Sequence, residues 1–468
     1  MGRRRKNKVL EEVTIGEMVA EGKCIAKVEG KAVFVPRVAP GDVVDIRLVK
    51  QRKKYAEGEV LRFHHYSELR TTPFCKHFGT CGGCKWQHLP YEQQLRYKQQ
   101  QVLDALERIG KVALPECPPI LPSAKTRFYR NKLEFTFSPQ RWLTQDEVNS
   151  AADLDRRGLG FHVPRRFDRI VDLEECYLQA EPSNSIRLAL RQFALENELS
   201  FYNIFAHEGL LRNLIIRTSS TEEVMVIVQF GEDQPEAITR VMDFLAGRFP
   251  EITSLQYVIN QKKNETFHDL PVICYKGQPY ITEVMEDLRF RIGAKSFFQT
   301  NSQQALELYR ITRQFAGLTG NEVVFDLYTG TGTIANFVAR QAKEVIGIES
   351  VPQAIADAKV NAADNGITNT RFFAGDMKEV LSPAFLAAYP RPDVVITDPP
   401  RAGMHEKVVR RLLELESPRV VYVSCNPATQ ARDVQLLSEK YHVTAIQPVD
   451  MFPHTHHVEN VLCLDKKA

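Results

Sequence analysis

The sequence predicts an α/β protein. A doubly wound, mainly parallel sheet forms the C-terminal end, behind a central α+β domain and a small N-terminal β-barrel. From about residue 291, strand-like apolar runs at 323–327, 344–348, 394–397 and 420–423 alternate with helical patterns, as in a parallel sheet wrapped by helices. Residues 9–62 instead hold short alternating runs separated by glycine turns, OB-like in size. The stretch between mixes strands with amphipathic helices and contains a run of cysteines. At 468 residues the chain exceeds the roughly 250–300 residues that one core sustains. These changes of style place domains at 1–62, 63–290 and 291–468.

Hydrophobic residues make up 43% and charged residues 25%, ordinary usage for a folded protein. No apolar run approaches the ~20 residues of a membrane span. The start, MGRRRKNKVLEEV, has arginines without the apolar stretch of a secretory signal. The expected location is the cytoplasm, with no membrane partner, and the expected state is a monomer. Nine cysteines in that compartment stay reduced, so clustered ones point to a metal or to catalysis rather than to disulfides.

In the first domain, alternation is visible at 31–35 and 43–48, with Pro40-Gly41-Asp42 as the turn between. Residues 1–62 hold fifteen Lys and Arg against nine Asp and Glu; the whole chain is +3, so the remainder is −3. One basic cluster is Arg3, Arg4, Arg5, Lys6 and Lys8; a second, Lys50, Arg52, Lys53 and Lys54, falls on the last hairpin of the barrel. A charge run is commonly only a solvated face, but two on one small domain point to a polyanion, and RNA contact is expected.

Next comes CKHFGTCGGCKWQHL, in which Cys75, Cys81 and Cys84 are spaced C-x5-C-x2-C and Gly82 and Gly83 let the backbone fold tightly. Such a cluster is expected to bind metal. Zinc and iron–sulfur sites both use four cysteines, and Cys176 in DLEECYL is the candidate fourth ligand, ahead of Cys24, Cys117 and Cys274. His77 and His88 are alternatives, although a lone histidine is more often simply solvated. The spacing is not the C-x3-C-x2-C of radical enzymes that cleave S-adenosylmethionine. Residues 91–109 then read as a helix, with Tyr91, Leu95, Val102, Leu106 and Ile109 on one face and Gly110 as its C′ glycine. Strand-like runs follow at 133–137, 214–217, 224–230 and 255–259, with a helix over 235–249 and a polar, flexible insertion at 144–157. A helix over 301–315 opens the last domain.

Four motifs there carry chemistry. DLYTGTGTIA (326–335) follows a strand and opens a helix, and Gly330 and Gly332 allow a ligand close to the backbone. Glu349 ends the next strand about twenty residues on, where an acid accepts both ribose hydroxyls. Asp376 ends the third strand, near the place of an adenine. Ala335 replaces the last glycine of a pyrophosphate-binding loop and no basic group follows, which favours S-adenosylmethionine over a dinucleotide. Asp398 opens the loop DPPRAGMH, which its prolines stiffen at the sheet edge. Cys425 ends the strand VVYVS before Asn426 and Pro427. A lone cysteine there is most often a buried, inert thiol, but its company at the same sheet edge argues otherwise. Glu459, in HTHHVEN, precedes a last strand at 461–464. His454, His456 and His457 have a poor zinc spacing and are read as shaping the loop or contacting RNA. A thiol, a carboxylate and a methyl donor suit methylation of uracil at carbon 5. That carbon becomes nucleophilic only after a thiolate adds to carbon 6, and a base must then remove the proton on carbon 5.

The chain resembles the RNA uracil-5-methyltransferase family, especially its iron–sulfur bacterial branch acting on 23S ribosomal RNA. The likeness runs through CKHFGTCGGC, SFFQTN, DLYTGTGTIA, DPPRAG, VSCNPAT and HHVEN, and the basic barrel is similar to a TRAM domain. It implies Cys425 as nucleophile and Glu459 as base. It also implies a cofactor and uracil pocket of Gln299, Tyr328, Thr333, Glu349, Asp376 and Asp398, and a 4Fe–4S cluster on Cys75, Cys81, Cys84 and Cys176. Thr333 stands where relatives often carry Asn. Phe297 or Phe298 is expected to receive a flipped base. The cluster has no electron-transfer step to serve, so a structural or RNA-docking role is expected. Ribosomal RNA is favoured because the shorter transfer-RNA enzymes lack barrel and cluster. The competing readings are a transfer-RNA enzyme, an amino-group methyltransferase and a non-catalytic RNA-binding iron–sulfur protein.

Overall fold

The computed structural model describes residues 8–150 and 154–468. Arg3, Arg4, Arg5 and Lys6, and residues 151–153 of the polar insertion, lie outside them.

Six strands build the N-terminal unit: β1 (Val9–Thr14), β2 (Met18–Val19), β3 (Lys23–Val28), β4 (Lys31–Pro36), β5 (Val43–Gln51) and β6 (Tyr55–His65). They form one sheet in the order β1-β5-β6-β4-β3-β2. Alternate residues point inward, so Cys24 and Ala26, Val33 and Val35, and Val44 and Ile46 fill a small core. Cys24 is therefore a packing residue. Lys50 to Lys54 are exposed at the β5–β6 turn. The buried Asp42 carboxylate accepts bonds from the Ala39 and Ser67 amides and two from Arg70, which ties the sheet to the chain that leaves it.

Helix α1 (Tyr91–Ala105) continues into a wide π-type turn, Leu106–Gly110. The left-handed residue that ends it is Lys111, with φ 52°, rather than Gly110, and Ile109 is exposed rather than on the buried face. The wide turn carries an extra residue, which shifts the cap by one position and rotates Ile109 outward. Gly110 is packed against Ala431, whose carbonyl oxygen would lie 3.4 Å from an added Cβ.

The central sheet comprises β7 (Lys132–Ser138), β8 (Gly158–Val163), β9 (Arg166–Asp172), β10 (Leu211–Thr218), β11 (Val224–Phe230), β12 (Ile252–Ile259) and β13 (Ile273–Gly277). Its order is β13-β12-β11-β10-β7-β8-β9. Helices Ser183–Glu196 and Pro235–Arg248 cover one face, with Phe193 stacked on Phe244 at 4.1 Å. Both faces of β10 and β11 are buried. Leu214, Ile216, Val226 and Val228 pack beneath these helices, while Ile215, Met225 and Ile227 join the core of the C-terminal unit. Burial on two faces explains why these strands read as continuous apolar runs. Within the polar insertion, Gln145–Asn149 forms a short helix capped by Thr144 and Glu147.

A hairpin, β14 (Tyr280–Met285) and β15 (Leu288–Gly293), leads to helix Ser302–Ala316 and the last sheet. That sheet contains β16 (Val323–Leu327), β17 (Glu344–Glu349), β18 (Thr370–Ala374), β19 (Val394–Thr397), β20 (Arg419–Ser424), β21 (Tyr441–Val449) and β22 (Glu459–Lys466), ordered β18-β17-β16-β19-β20-β22-β21. The first five are mutually parallel and β22 runs antiparallel between β20 and β21. The carboxyl ends of the parallel strands and the amino end of β22 thus share one edge. No helix among the described residues is long and apolar enough to cross a membrane.

Candidate active site

Tyr328, Glu349, Asp376, Asp398, Cys425 and Glu459 lie at or just beyond strand ends on this edge. The ladder between β20 and β22 ends with Ser424 opposite Asn460, and Cys425 and Glu459 are the next residues beyond that pair on the two segments. Asp398 follows β19, the neighbour of β20. Glu459 is 3% exposed and Cys425 is half-buried.

The electrostatics follow from this crowding. Burial pushes the Cys425 thiol up to about 12, Glu459 and Asp398 push the same way, and Arg401 opposes them. Burial, then the charge of Asp326, raises Asp398 to about 7. Burial, then Asp398, holds Glu459 well above the usual carboxylate range. Tyr309, buried on helix Ser302–Ala316, senses Asp398, Asp326 and Glu459 together, which places it among them. The resting thiol is therefore protonated, and its proton must leave before it can attack.

The glycine loop lies on the other side of Asp398. Gly330 and Gly332 have φ 55° and 75°. A Cβ on Gly332 would stand 2.9 Å from that of Ala358, whereas one on Gly330 would meet open space. The Gly330 amide donates to Glu349 (3.2 Å), whose other oxygen accepts from Ser350 Oγ and the Val351 amide. Thr333 is buried at the start of the next helix, its hydroxyl 3.3 Å from that of Thr331. Tyr328, with φ 64°, has its hydroxyl raised to about 12 by burial, with Asp433, Asp376 and Glu349 adding to it. Asp376 is exposed; it caps helix Met377–Val380 and pairs with Lys378. Gln299 is half-buried and held by Asn131, which donates to its carbonyl (2.9 Å) and to Ser302 Oγ. Phe298 packs in the core, while Phe297 is 71% exposed.

Several supports escaped the sequence reading. Asn426 and Thr429 both donate to the Arg401 carbonyl, which ties the cysteine turn to the Asp-Pro-Pro loop. Asp433 accepts from the Tyr422 hydroxyl and the Met404 amide and fixes the far end of that loop. An Asn-Pro pair after a strand is a readable cap signal; Asp433 has none.

Cys75, Cys81, Cys84 and Cys176 line one pocket, walled by Phe74, Phe161, Leu173 and Leu178. Among the described residues, no group of three or more His, Cys, Asp and Glu is arranged to hold a metal ion; these four thiols stand around the pocket. Burial pushes Cys81 to about 12 and Cys84 to about 11, and ionising any neighbour would push them further. Only a cationic centre among them would ionise the set. His77 instead accepts the Glu174 amide, and His88 is buried against the Val38 carbonyl, so neither faces the thiols as an alternative ligand. Cys117 is bonded to Gln99 and Cys274 lies exposed on β13.

Comparisons with known proteins cover the whole chain. The family described as tRNA (Uracil-5-)-methyltransferase matches residues 277–467, and the TRAM domain matches residues 4–61. An uncharacterized RNA methyltransferase of Bacteroides thetaiotaomicron is 60% identical over 96% of this chain and 100% of its own. One of Porphyromonas gingivalis is 54% identical over 96% and 98%. The crystal structure of Pyrococcus abyssi tRNA (uracil-54, C5)-methyltransferase, in complex with S-adenosyl-L-homocysteine, superimposes with a TM-score of 0.73 at 30% identity, covering 98% of this chain and 100% of that one. A transfer-RNA enzyme of the same extent removes the argument that the barrel and central domain by themselves favour ribosomal RNA.

Proposed function

Because the chain belongs to the RNA uracil-5-methyltransferase family, as an S-adenosylmethionine-dependent RNA methyltransferase with a TRAM domain, we propose that it methylates carbon 5 of a uridine through a covalent adduct on Cys425. The observation that supports this is the meeting of β20 and β22: their ladder runs to Ser424 opposite Asn460, Cys425 and Glu459 are the next residues beyond that pair, and the charge of Glu459 bears on the Cys425 thiol. S-adenosylmethionine, when bound, supplies an electrophilic methyl group. Its ribose would be held by Glu349 above the open space at Gly330, with Tyr328 and Gln299 lining the same pocket.

The Cys425 proton leaves first. Asp398, raised to about 7 and close enough for its charge to act on the Cys425 thiol, can receive it. The thiolate adds to carbon 6, and carbon 5 becomes nucleophilic and takes the methyl group. Glu459, after losing its own proton to solvent, removes the proton on carbon 5, the electron pair expels the Cys425 thiolate, and Asp398 returns its proton to the sulfur. Burial makes Glu459 a stronger base once ionised. Phe297, exposed beside Gln299, is the aromatic face on which the unstacked base would rest.

For the RNA we propose 23S ribosomal RNA, on the likeness of CKHFGTCGGC to the iron–sulfur branch of the family, with the exposed Lys50 to Lys54 of the β5–β6 turn contacting it. The full-length likeness to an archaeal transfer-RNA enzyme supports transfer RNA as the second reading. We assign a 4Fe–4S cluster to Cys75, Cys81, Cys84 and Cys176, which line one pocket and match the cysteines of the iron–sulfur branch that the chain resembles. RNA containing 5-fluorouridine is expected to trap a denaturant-stable complex through Cys425; no adduct with either RNA overturns the uracil reading. Mapping 5-methyluridine in both RNAs of a strain lacking the gene decides the substrate. Glu349→Ala is expected to weaken S-adenosylmethionine binding by roughly 10–100-fold, the worth of about 1.5–3 kcal/mol for a hydrogen bond to a charged group, measurable by titration calorimetry.

A further inference from the structure

The segment Asp450 to Val458 leaves β21 and returns as Glu459, and the strand pair that closes it is Val449 opposite Glu459. The base therefore sits at the foot of a long excursion, which could splay it away from Cys425 unless held. The Leu121 carbonyl accepts from the Asp450 amide, Asn301 donates to the Met451 carbonyl and the Tyr129 hydroxyl to the Pro453 carbonyl, but most of the bonds to the segment come from α1 and the cysteine loop. At the foot, Asp450 is paired with Lys98 of α1 at 2.6 Å, both side chains fully buried. Tyr91 of α1 donates to the other Asp450 oxygen at 2.8 Å, and Lys98 also donates to the Phe452 carbonyl at 3.0 Å. At the crest, His454 has φ 64° and makes a two-way contact with Gln94 of α1. Its amide donates to Gln94 Oε1 (2.8 Å), and its ring nitrogen lies 3.2 Å from Gln94 Nε2.

The cysteine loop completes the grip. The amides of Lys85 and Trp86, the two residues after Cys84, both donate to the His454 carbonyl at 2.8 and 3.0 Å. Gln94 Nε2 donates back to the Trp86 and Leu89 carbonyls. One glutamine side chain, 0% exposed, thus bonds the cysteine loop and the segment before the base at once.

We propose that the cysteine loop and α1 form a positioning element for Glu459, with Gln94 and Lys98 as positioning residues that act through the segment 450–458. The four-cysteine site would then serve the proton-abstraction half of the reaction rather than RNA docking. This inference rests on the covalent mechanism proposed above. A loosened segment leaves Cys425 able to attack, because the β20 turn is tied separately to Arg401, but it removes the base from carbon 5.

The test separates the two half-reactions in the full-length protein. Gln94→Leu is expected to capture 5-fluorouridine RNA at a rate within threefold of the parent, since that adduct needs no proton removal. On ordinary uridine RNA it should turn over at least thirtyfold more slowly, with the methylated covalent complex accumulating on denaturing gels. Equal losses in both assays, or no loss in either, overturn the proposal. If the parent protein itself captures no 5-fluorouridine RNA, the covalent mechanism fails instead, which is a different result. Cys84→Ala provides a readout independent of turnover. Hydrogen exchange in peptides covering 450–458 should speed up at least tenfold while RNA affinity stays within threefold, whether or not the Gln94 variant folds. Unchanged exchange there, or a loss of RNA affinity without it, overturns the link between the cysteine site and the base.

Discussion

Replacing Cys425 by alanine is expected to abolish methyl transfer while leaving the protein folded and able to bind RNA. Carbon 5 of uracil acquires nucleophilic character only while carbon 6 carries the sulfur, so no neighbouring group substitutes for the thiol. The expected loss is roughly 10⁴-fold or more in kcat, the scale on which removal of a covalent nucleophile is felt. Folding should survive because the residue is half-buried at the end of β20, and the turn is fixed by Asn426 and Thr429 on the Arg401 carbonyl rather than by the sulfur. Labelled methyl transfer, a denaturing-gel assay with 5-fluorouridine RNA and filter binding read these outcomes side by side. Retained adduct formation in Cys425→Ala would assign the nucleophile elsewhere.

Glu459→Gln should fail at a later step. Methylation proceeds, carbon 5 keeps its proton, and the enzyme accumulates as a methylated adduct that does not release. General-base removal costs about 10²–10⁴-fold, so steady-state turnover should fall by that amount while a single round of methyl transfer survives. The same variant predicts a pH effect of definite sign. The Glu459 charge is one cause of the raised Cys425 thiol, at about 12. Where Glu459 is ionised, neutralising it lowers the thiol, so more thiolate is present in the alkaline range. Alkylation of Cys425 in the free protein, followed by mass spectrometry of its peptide, should therefore rise at lower pH in Glu459→Gln than in the parent. A profile unmoved or displaced upward would mean that the two side chains do not share the pocket.

The parts of this site legible in the sequence are those where a strand ends. β-Branched runs fix where Val394–Thr397 and Arg419–Ser424 stop, and the residues that follow, Asp398 and Cys425, fall at the sheet edge. Glu349 is legible for the same reason. The supports are illegible because they depend on which segments meet. Lys98 is one basic residue on a polar helix until Asp450, some 350 positions later, lies against it at 2.6 Å. Gln94 carries no local signal at all. Asp376 has the placement of a cofactor ligand after β18, and its side chain also caps helix Met377–Val380, a second role that the sequence alone does not announce. A uniform 3.6-residue period puts Ile109 on a buried face, and the wide turn at Leu106–Gly110 breaks that period.

The pairing of Ser424 with Asn460 also bears on how chains of this kind can change in length. Successive residues of a strand face opposite sides, so inserting or deleting one residue between Glu459 and Leu464 would present Asn460 or Val458 where the carboxylate belongs and turn every apolar neighbour the wrong way. The polar stretch at 144–157 carries no such indexing. Gaps between related sequences should gather there, and the last strand should keep its count even where its residues drift.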